Sequence, residues 1–328
     1  MTHKKIAELA HVSTSTVSKA LSGNPEISFE LAERIKKIAI ECGYFKEKRK
    51  RRIKTPGKQP IIAVVCPEII SVFYSSIITK LKKEIEDRGG YIAVYIYDFD
   101  LDKMNRIIKT LTLKGDCDGI ITFSPPEVSA SQNMPIVCLC SNHSDNFKPF
   151  DFVGVNYKKV IFDAVEYFKK LGHTKIGIAT ELFTTSNVEY FKEALNYNGI
   201  KIYDEYIYIS HERFDKAGSD IAVQIQKSGN PPTAVLAAYD EIAMSLIHEL
   251  SKNGVSVPDD ISIMGIDDIP YASYANLPLT TINLFPEEQH SIAVKILFNR
   301  IYNEDAPLQQ VTIQHKIIER ETTKIWRD

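Results

Sequence analysis

The sequence lacks the hydrophobic segments and cysteine patterns of membrane-bound and exported proteins. None of its 328 residues belongs to an apolar run of about 18, the length that suggests a membrane span. Lys4 and Lys5 stand near the N-terminus, but no apolar segment of a secretory signal follows them. The five cysteines form no Cys-x-x-Cys pair and no metal-ligand spacing, and their odd number indicates reduced thiols. We therefore expect a cytoplasmic protein.

Motifs for nucleotide binding and hydrolysis are also missing. No strand-like segment precedes G-x-G-x-x-G or G-x-x-x-x-G-K-[ST], no serine stands in G-x-S-x-G, and no H-E-x-x-H occurs. His173 falls between a helix and a strand, as loop histidines do. Asp267 and Asp268 are neighbours, and on an extended chain neighbouring side chains point in opposite directions. The sequence thus predicts no enzyme, no cofactor and no metal site.

Positive charge is concentrated at one end of the chain, although the net charge is only −2. Residues 1–58 contain 14 Lys/Arg and 6 Asp/Glu, whereas residues 59–328 contain 26 and 36. A segment with a net charge of +8 is suited to binding phosphates. The alternative is a basic tail that only keeps the protein soluble.

Two short helices separated by a tight turn are predicted at the start of the chain. Ser13 is a good N-cap for the second helix, whose Val17 and Ala20 would be buried. A third helix is predicted after Ser28, with an apolar stripe from Leu31 to Cys42. The exposed face of the second helix would carry small, polar or cationic side chains: Thr14, Ser15, Thr16, Ser18 and Lys19. This pattern favours a helix-turn-helix that lies in a DNA major groove over a plain helical hairpin.

From Ile61 onwards, short apolar runs alternate with amphipathic helices. This alternation predicts parallel sheets covered by helices on both faces, arranged as two α/β lobes with a ligand cleft at the carboxyl ends of the strands. We expect two domains, a head at 1–58 and a core at 59–328. The predicted strands are Ile61–Cys66, Tyr91–Tyr97, Gly119–Phe123, Pro135–Cys140, Lys175–Thr180, Thr233–Ala237, Ile261–Ile266 and Val311–Ile318.

Specific motifs resemble the lac repressor (LacI/GalR) family of bacterial transcription regulators. The head carries V-S-T-S-T-V-S-K-A-L at Val12–Leu21, G-N-P-E-I-S at Gly23–Ser28, and then Gly43-Tyr44. The core carries F-V-G-V-N, L-G-H-T-K-I-G, A-Y-D-E-I-A, S-I-M-G-I-D-D and P-L-T-T-I. The resemblance implies a three-helix head joined to a two-lobed core similar to periplasmic sugar-binding proteins.

The resemblance also implies how the head meets DNA. Thr14, Ser15 and Lys19 would face base edges, and Thr16 would meet phosphates or cap its helix. A hinge helix is expected in the basic run Lys46–Lys54, just before a linker rich in proline and glycine. Within that run, the residues expected at DNA are Lys50, Arg51 and Ile53. Ile53 stands where the family inserts a leucine into the minor groove, whereas Lys50 replaces a small alanine, so an unstructured basic arm remains the alternative.

The effector residues that the resemblance implies match the family only in part. Asp267 falls where the family holds a pair of ligand hydroxyls, and Phe73 and Tyr74 where it has aromatics facing the cleft. Three positions depart from the pattern: Asn187 replaces an arginine, Tyr239 replaces an asparagine, and Arg213 replaces an aromatic residue. The structural alternatives are that Asp267 caps a turn, Tyr239 begins a helix and Arg213 is a solvated charge. Phe214 would supply the aromatic face instead.

The combined interpretation is a homodimeric repressor that binds pseudo-palindromic operator DNA under the control of a small ligand. The ligand would be a sugar, or a phosphorylated sugar if Arg213 receives an anion. The tail Glu319–Asp328 has no apolar heptads, so a dimer is expected. The alternative function is a cytosolic sugar-binding module with a non-specific basic head.

Overall fold

A computed structural model describes residues 2–45, 59–127, 134–140, 150–303 and 305–327. Lys50, Arg51 and Ile53 lie outside these residues, and so does the whole expected hinge, Lys46–Lys54. Across the described part of the chain, no helix has both the length and the apolarity to cross a bilayer.

Three helices form the head: α1 His3–Ala10, α2 Thr14–Ser22 and α3 Phe29–Glu41. The turn between α1 and α2 passes through His11, whose backbone is left-handed (φ 53°, ψ 47°). Ser13 begins α2 as expected, because its hydroxyl oxygen accepts the first-turn N–H of residue 16 at 3.0 Å. The three helices meet over a small core of buried side chains: Ile6, Ala7, Ala10, Val17, Ala20, Ile35, Ala39 and Phe45.

Two six-stranded sheets form the core of the protein, as the alternating pattern predicted. The first lobe has the strand order β11-β5-β4-β3-β1-β2, and all its strands are parallel. Its strands are β1 Ile61–Cys66, β2 Tyr91–Ile96, β3 Gly119–Thr122, β4 Ile136–Leu139, β5 Asp151–Val155 and β11 Gln310–Ile313. The helices packed around it are α4 Val72–Asp87, α5 Leu101–Lys114 and α11 Pro286–Tyr302.

The second lobe has the order β12-β10-β9-β8-β6-β7, with only β12 antiparallel to its neighbour β10. Its strands are β6 Ile176–Glu181, β7 Ile207–Ser210, β8 Ala234–Ala237, β9 Ser262–Ile266, β10 Thr280–Asn283 and β12 Lys316–Ile318. Its helices are α6 Tyr157–Lys170, α7 Ser186–Tyr197, α8 Phe214–Lys227, α9 Asp240–Lys252 and α10 Pro270–Tyr274. Buried apolar side chains cover both faces of each sheet.

The chain passes between the lobes three times: after β5, after β10 and between β11 and β12. The expectation of one last strand at Val311–Ile318 was therefore wrong. That segment is two strands, one in each lobe, with Gln314 and His315 between them. Its continuous run of β-forming residues gave no sign that the chain changes sheets.

Candidate functional site

The polar face of α2 is open to solvent. Thr14 and Ser15 are exposed, whereas Val17 and Ala20 on the opposite face are fully buried against α1 and α3. The Thr16 hydroxyl lies 2.8 Å from the Ser13 hydroxyl, so Thr16 takes part in the helix cap. The orientation required for contact with a DNA groove is thus fixed by the packing of the helix.

Lys19, on the same helix, forms an ion pair with Glu26 in the turn that follows. The Asn24 side-chain oxygen accepts the backbone N–H of Glu26 at 2.9 Å and so holds the turn. Both charged side chains are exposed, at 45% for Lys19 and 64% for Glu26. The ammonium group would have to leave this carboxylate before it could reach a base edge.

A cavity of about 380 Å³ lies between the two lobes, next to the carboxyl ends of their strands. All six residues expected at an effector line it: Phe73, Tyr74, Asn187, Arg213, Tyr239 and Asp267. Four of them stand at or next to the first residue of a helix that follows a strand, because each strand–helix connection opens at this edge of the sheet.

Asp267 follows β9 in a left-handed conformation (φ 109°), and Asp268 is left-handed as well (φ 51°). The expectation of extended backbone at this pair was therefore wrong. Asp268 is bound to Arg320 at 2.7 Å and to Asn283 at 2.8 Å. The Asp267 carboxylate lines the cavity, and no described residue donates a hydrogen bond to it. Burial, with the nearby Asp240, raises the pKa of Asp267 well above its usual value.

Asp240 lies behind Asp267 and is completely buried. The Thr281 hydroxyl and the backbone N–H of Ile269, at 2.8 Å, both donate to its carboxylate. Burial nevertheless raises the pKa of Asp240 to about 8. Gly265 is required beside it, since a Cβ there would lie 2.1 Å from the Asp240 Oδ1. Asp240 thus supports the loop that carries Asp267.

Two tyrosine hydroxyls lie near the Asp267 carboxylate, and the Asn187 amide is bound to one of them. The Tyr157 hydroxyl donates to the Ala238 carbonyl at 3.4 Å and accepts from the Asn187 side chain. Burial, with the charge of Asp267, raises the pKa of Tyr157. Burial also raises the pKa of Tyr74, so both phenols keep their protons at neutral pH. Tyr157 and Tyr74 thus place uncharged hydroxyl groups close to the Asp267 carboxyl group.

Aromatic rings form the walls of the cavity. Tyr74 packs edge-on against Phe73 and Phe123, with ring centroids 5.1 and 5.5 Å apart. Tyr239 stands directly before α9 and its hydroxyl accepts the N–H of Phe214 at 3.1 Å. Tyr239 therefore both precedes a helix, as its structural alternative required, and lines the cavity.

Arg213 spans the cavity and pairs with Glu68 of the other lobe. Its two terminal nitrogens donate to the two carboxylate oxygens at 2.8 and 3.2 Å. The guanidinium also lies over Phe99 of the first lobe and Phe183 of the second, whose rings stack at 4.4 Å. Arg213 is thus part of a contact between the lobes and not a solvated loop charge.

Several cavity residues were not foreseen from the sequence. Glu68 lies two residues after β1 and is 5% exposed, and no local pattern marks it as buried. His290 is 2% exposed, its Nδ1 finds no partner among the described residues, and burial lowers its pKa to about 4. Further examples are Tyr157, Phe99, Phe183, Glu181 and Glu241. The only sequence signals for some of them are that they are aromatic or that they stand just after a strand.

Comparison with known proteins covers both parts of this architecture. The model of bacterial regulatory proteins of the lacI family matches residues 2–47, and that of the periplasmic binding protein-like domain matches residues 165–323. The chain thus joins a lacI-family DNA-binding region to a periplasmic binding protein-like domain. This regulator is 29% identical over 303 residues to the HTH-type transcriptional repressor CytR of Escherichia coli K12, covering 86% of this chain and 84% of CytR.

Solved structures share the fold of this chain. The complex of the transcriptional regulator CelR with cellobiose has a TM-score of 0.69 at 19% identity, covering 98% of this chain and 99% of CelR. A LacI family regulator from Enterococcus faecium with bound ribose has a TM-score of 0.68 at 22% identity, covering 81% of this chain and 100% of that one. The predicted fold is confirmed, and so is the prediction of a DNA-binding transcription regulator that is not an enzyme.

Proposed function

We propose that this regulator represses transcription as a homodimer on a pseudo-palindromic operator, under the control of a sugar or related polyol bound between its lobes. The observation that carries this proposal is the interlobe cavity, where an Asp267 carboxylate without a described donor faces amide, hydroxyl and aromatic groups. A carboxylate accepts two adjacent hydroxyls at once, and aromatic faces cover the C–H side of a sugar ring.

The exposed polar face of α2 and the positive charge of residues 1–58 support the DNA-binding half of the proposal. Thr14, Ser15 and Lys19 are assigned to base edges, and Thr16 positions the helix. Lys50 and Arg51 are assigned to phosphates, and Ile53 to the minor groove. We take residues 1–58 as the DNA-binding unit and 59–328 as the effector-binding and dimerisation unit, acting in the cytoplasm.

The cavity residues support the effector half. Asp267 would take two hydroxyls, Asn187 would donate to a third oxygen, and Phe73 and Tyr74 would stack on the ring. The two structures of similar fold that are named with cellobiose and ribose make a sugar a reasonable first probe. Tyr239 and Arg213 would enclose the ligand from the second lobe.

The three connections between the lobes allow ligand and DNA to affect each other. A ligand held by residues of both lobes would set the angle between them, and hence the spacing of two heads in a dimer. It can do so only through a difference in affinity for the two arrangements, and operator DNA must change ligand affinity by the same factor. Whether the ligand induces or corepresses depends on which arrangement it favours.

The test is selection of binding sites from a random duplex library at two salt concentrations, with and without a panel of sugars. We expect a palindrome that remains enriched at the higher salt and whose recovery changes with one sugar. Because binding through phosphates alone is lost steeply as salt rises, a non-specific basic head would yield no enriched sequence. That result would favour the alternative of a sugar-binding module.

A further inference from the structure

The charges that line the cavity are unequal. Four carboxyl groups face it, from Glu68, Glu181, Glu241 and Asp267. Among the described lining residues, the only lysine or arginine is Arg213. Any anionic ligand would therefore depend on this one guanidinium to balance its charge.

The Arg213 guanidinium is already engaged by the protein. Glu68 binds both of its terminal nitrogens in the side-by-side geometry that matches the guanidinium fork to a carboxylate. The side chain of Glu68 is 7% exposed and that of Arg213 is 27% exposed, so water competes little for either. Rings of Phe99, Phe183 and Phe214 cover the guanidinium at 4.9, 5.2 and 4.4 Å from their centroids.

Two further carboxyl groups lie beside this pair. Glu181 is 1% exposed and its carboxylate accepts the N–H of Phe183 at 2.9 Å. Glu241 crosses to the first lobe, where it accepts the N–H of Val72 at 3.2 Å. Burial raises the pKa of both glutamates, and the charge of nearby Glu68 raises it further.

We infer that Glu68 sets the charge specificity of the effector site: it occupies Arg213 and so makes the cavity select an uncharged polyol and reject a phosphorylated one. This inference rests on the proposed function of the cleft as an effector site. It chooses between the two ligand classes that Arg213 alone left open, and it assigns the choice to a residue of the opposite lobe.

The physical reason is what would happen to Glu68 if a phosphate bound Arg213. To bind both terminal nitrogens of Arg213 side by side, a phosphate would have to displace Glu68, and Glu68 would then be a buried carboxylate without its partner. The displaced carboxylate and the phosphate would also repel each other, with Glu181 and Glu241 nearby. Unpaired charge and like-charge contact are general means of rejecting a wrong ligand. An uncharged polyol needs neither step, because the Asp267 carboxylate is accessible from the cavity.

The test uses the full-length protein with matched ligand pairs, glucose with glucose 6-phosphate and ribose with ribose 5-phosphate, plus cellobiose, measured by calorimetry and thermal shift. For the unmodified protein, we expect each phosphorylated member to bind at least tenfold more weakly than its neutral partner or not at all. For Glu68→Gln, which removes the charge with little change of shape, we expect affinity for the phosphorylated members to rise at least tenfold.

Two controls separate charge from shape. Glu241→Gln removes a nearby carboxylate but leaves the Arg213–Glu68 pair, so it should still reject the phosphorylated sugars. In Glu68→Gln/Arg213→Met the gain should disappear, because the guanidinium is gone. Circular dichroism and melting curves show whether each variant is folded.

Each outcome decides one of the two proposals. Phosphorylated sugars that bind the unmodified protein as tightly as neutral ones would overturn the role of Glu68 and leave the effector site intact. A folded Glu68→Gln that gains nothing would also overturn it. If no neutral sugar binds the unmodified protein but Glu68→Gln gains glucose 6-phosphate, rejection of phosphate by Glu68 stands, whereas selection of a neutral sugar and the sugar assignment of the proposed function both fail.

Discussion

The protein contains two ion pairs of the same chemistry in contrasting surroundings. Lys19–Glu26 lies on the head with both side chains about half exposed, whereas Arg213–Glu68 bridges the lobes with both mostly buried. Water and salt screen the first pair, so DNA can replace its carboxylate at little cost. The second pair has left water, so removing one partner strands the other. The same interaction is therefore exchangeable in the head and part of the fixed architecture in the cleft.

The largest expected effect on stability comes from Asp240, a buried ionisable group like those of the Arg213–Glu68 pair. Its folded-state pKa of about 8 lies above the value of about 3.9 expected in the unfolded chain. Between these values the unfolded state binds fewer protons, so this group makes stability fall as pH rises and then level off above pH 8. We expect Asp240→Asn to abolish this pH dependence, which amounts to a few kcal/mol in the free energy of unfolding. Urea unfolding of both proteins from pH 5 to 9 measures it, and parallel curves would contradict the assignment.

The two ion pairs themselves give the next largest effect, through double-mutant cycles. For Arg213→Met with Glu68→Gln, we expect a coupling energy of about 2 kcal/mol in the free energy of unfolding. For Lys19→Met with Glu26→Gln, we expect less than about 1 kcal/mol, because both side chains are exposed. Raising the salt concentration should weaken only the coupling between Lys19 and Glu26. Equal couplings would show that burial does not distinguish the two pairs.

Lys19→Ala is expected to relax sequence preference by about 1–3 kcal/mol at the base that it contacts. Arg51→Ala, the matched control, should weaken binding to all duplexes alike, because phosphate contacts carry no sequence information. Competition between the selected palindrome and random duplex measures both changes. Equal losses on the two duplexes for Lys19→Ala would remove it from the base-reading set.

Glu26→Gln should have the smallest effect. Releasing Lys19 from its carboxylate and removing one negative charge near DNA should tighten binding up to about fivefold, in line with an exposed pair worth at most ~1 kcal/mol. The gain should shrink as salt is raised. Glu33→Gln also removes an exposed carboxylate of the head, but its partner is Lys36 on α3, so it should not reproduce the gain. Weaker binding of Glu26→Gln would mean that the pair orients Lys19 for DNA.

Local signals predicted those parts of the structure that local chemistry determines. The Ser13 cap and the strands β1, β3 and β9 follow from patterns within a few residues. Helix α8 was not foreseen, and it contains Gly218, a residue type that disfavours helices. This glycine is required by a neighbour, because a Cβ would lie 2.6 Å from the side chain of Ser245. Contact with another helix, absent from the local sequence, accounts for the residue.

The candidate site follows the same division. Its six expected residues stand at the ends of strands and the starts of helices, so the resemblance could place them on one edge of the fold. Glu68 could not be predicted, because its role depends on a partner 145 positions away in the other lobe. The charge balance of the cavity is a property of the folded chain. Arg213 considered alone indicated a phosphorylated ligand, whereas its pairing with Glu68 favours an uncharged one.

The central claim is that a ligand at Asp267 alters operator binding by the head. The most direct test is the affinity of the selected palindromic duplex for the unmodified protein and for Asp267→Asn, with and without the sugar that changes its recovery. We expect the two proteins to bind the duplex equally without sugar, and only the unmodified protein to respond to it. If Asp267→Asn responds to the same sugar at the same concentration, the effector does not act through this cleft.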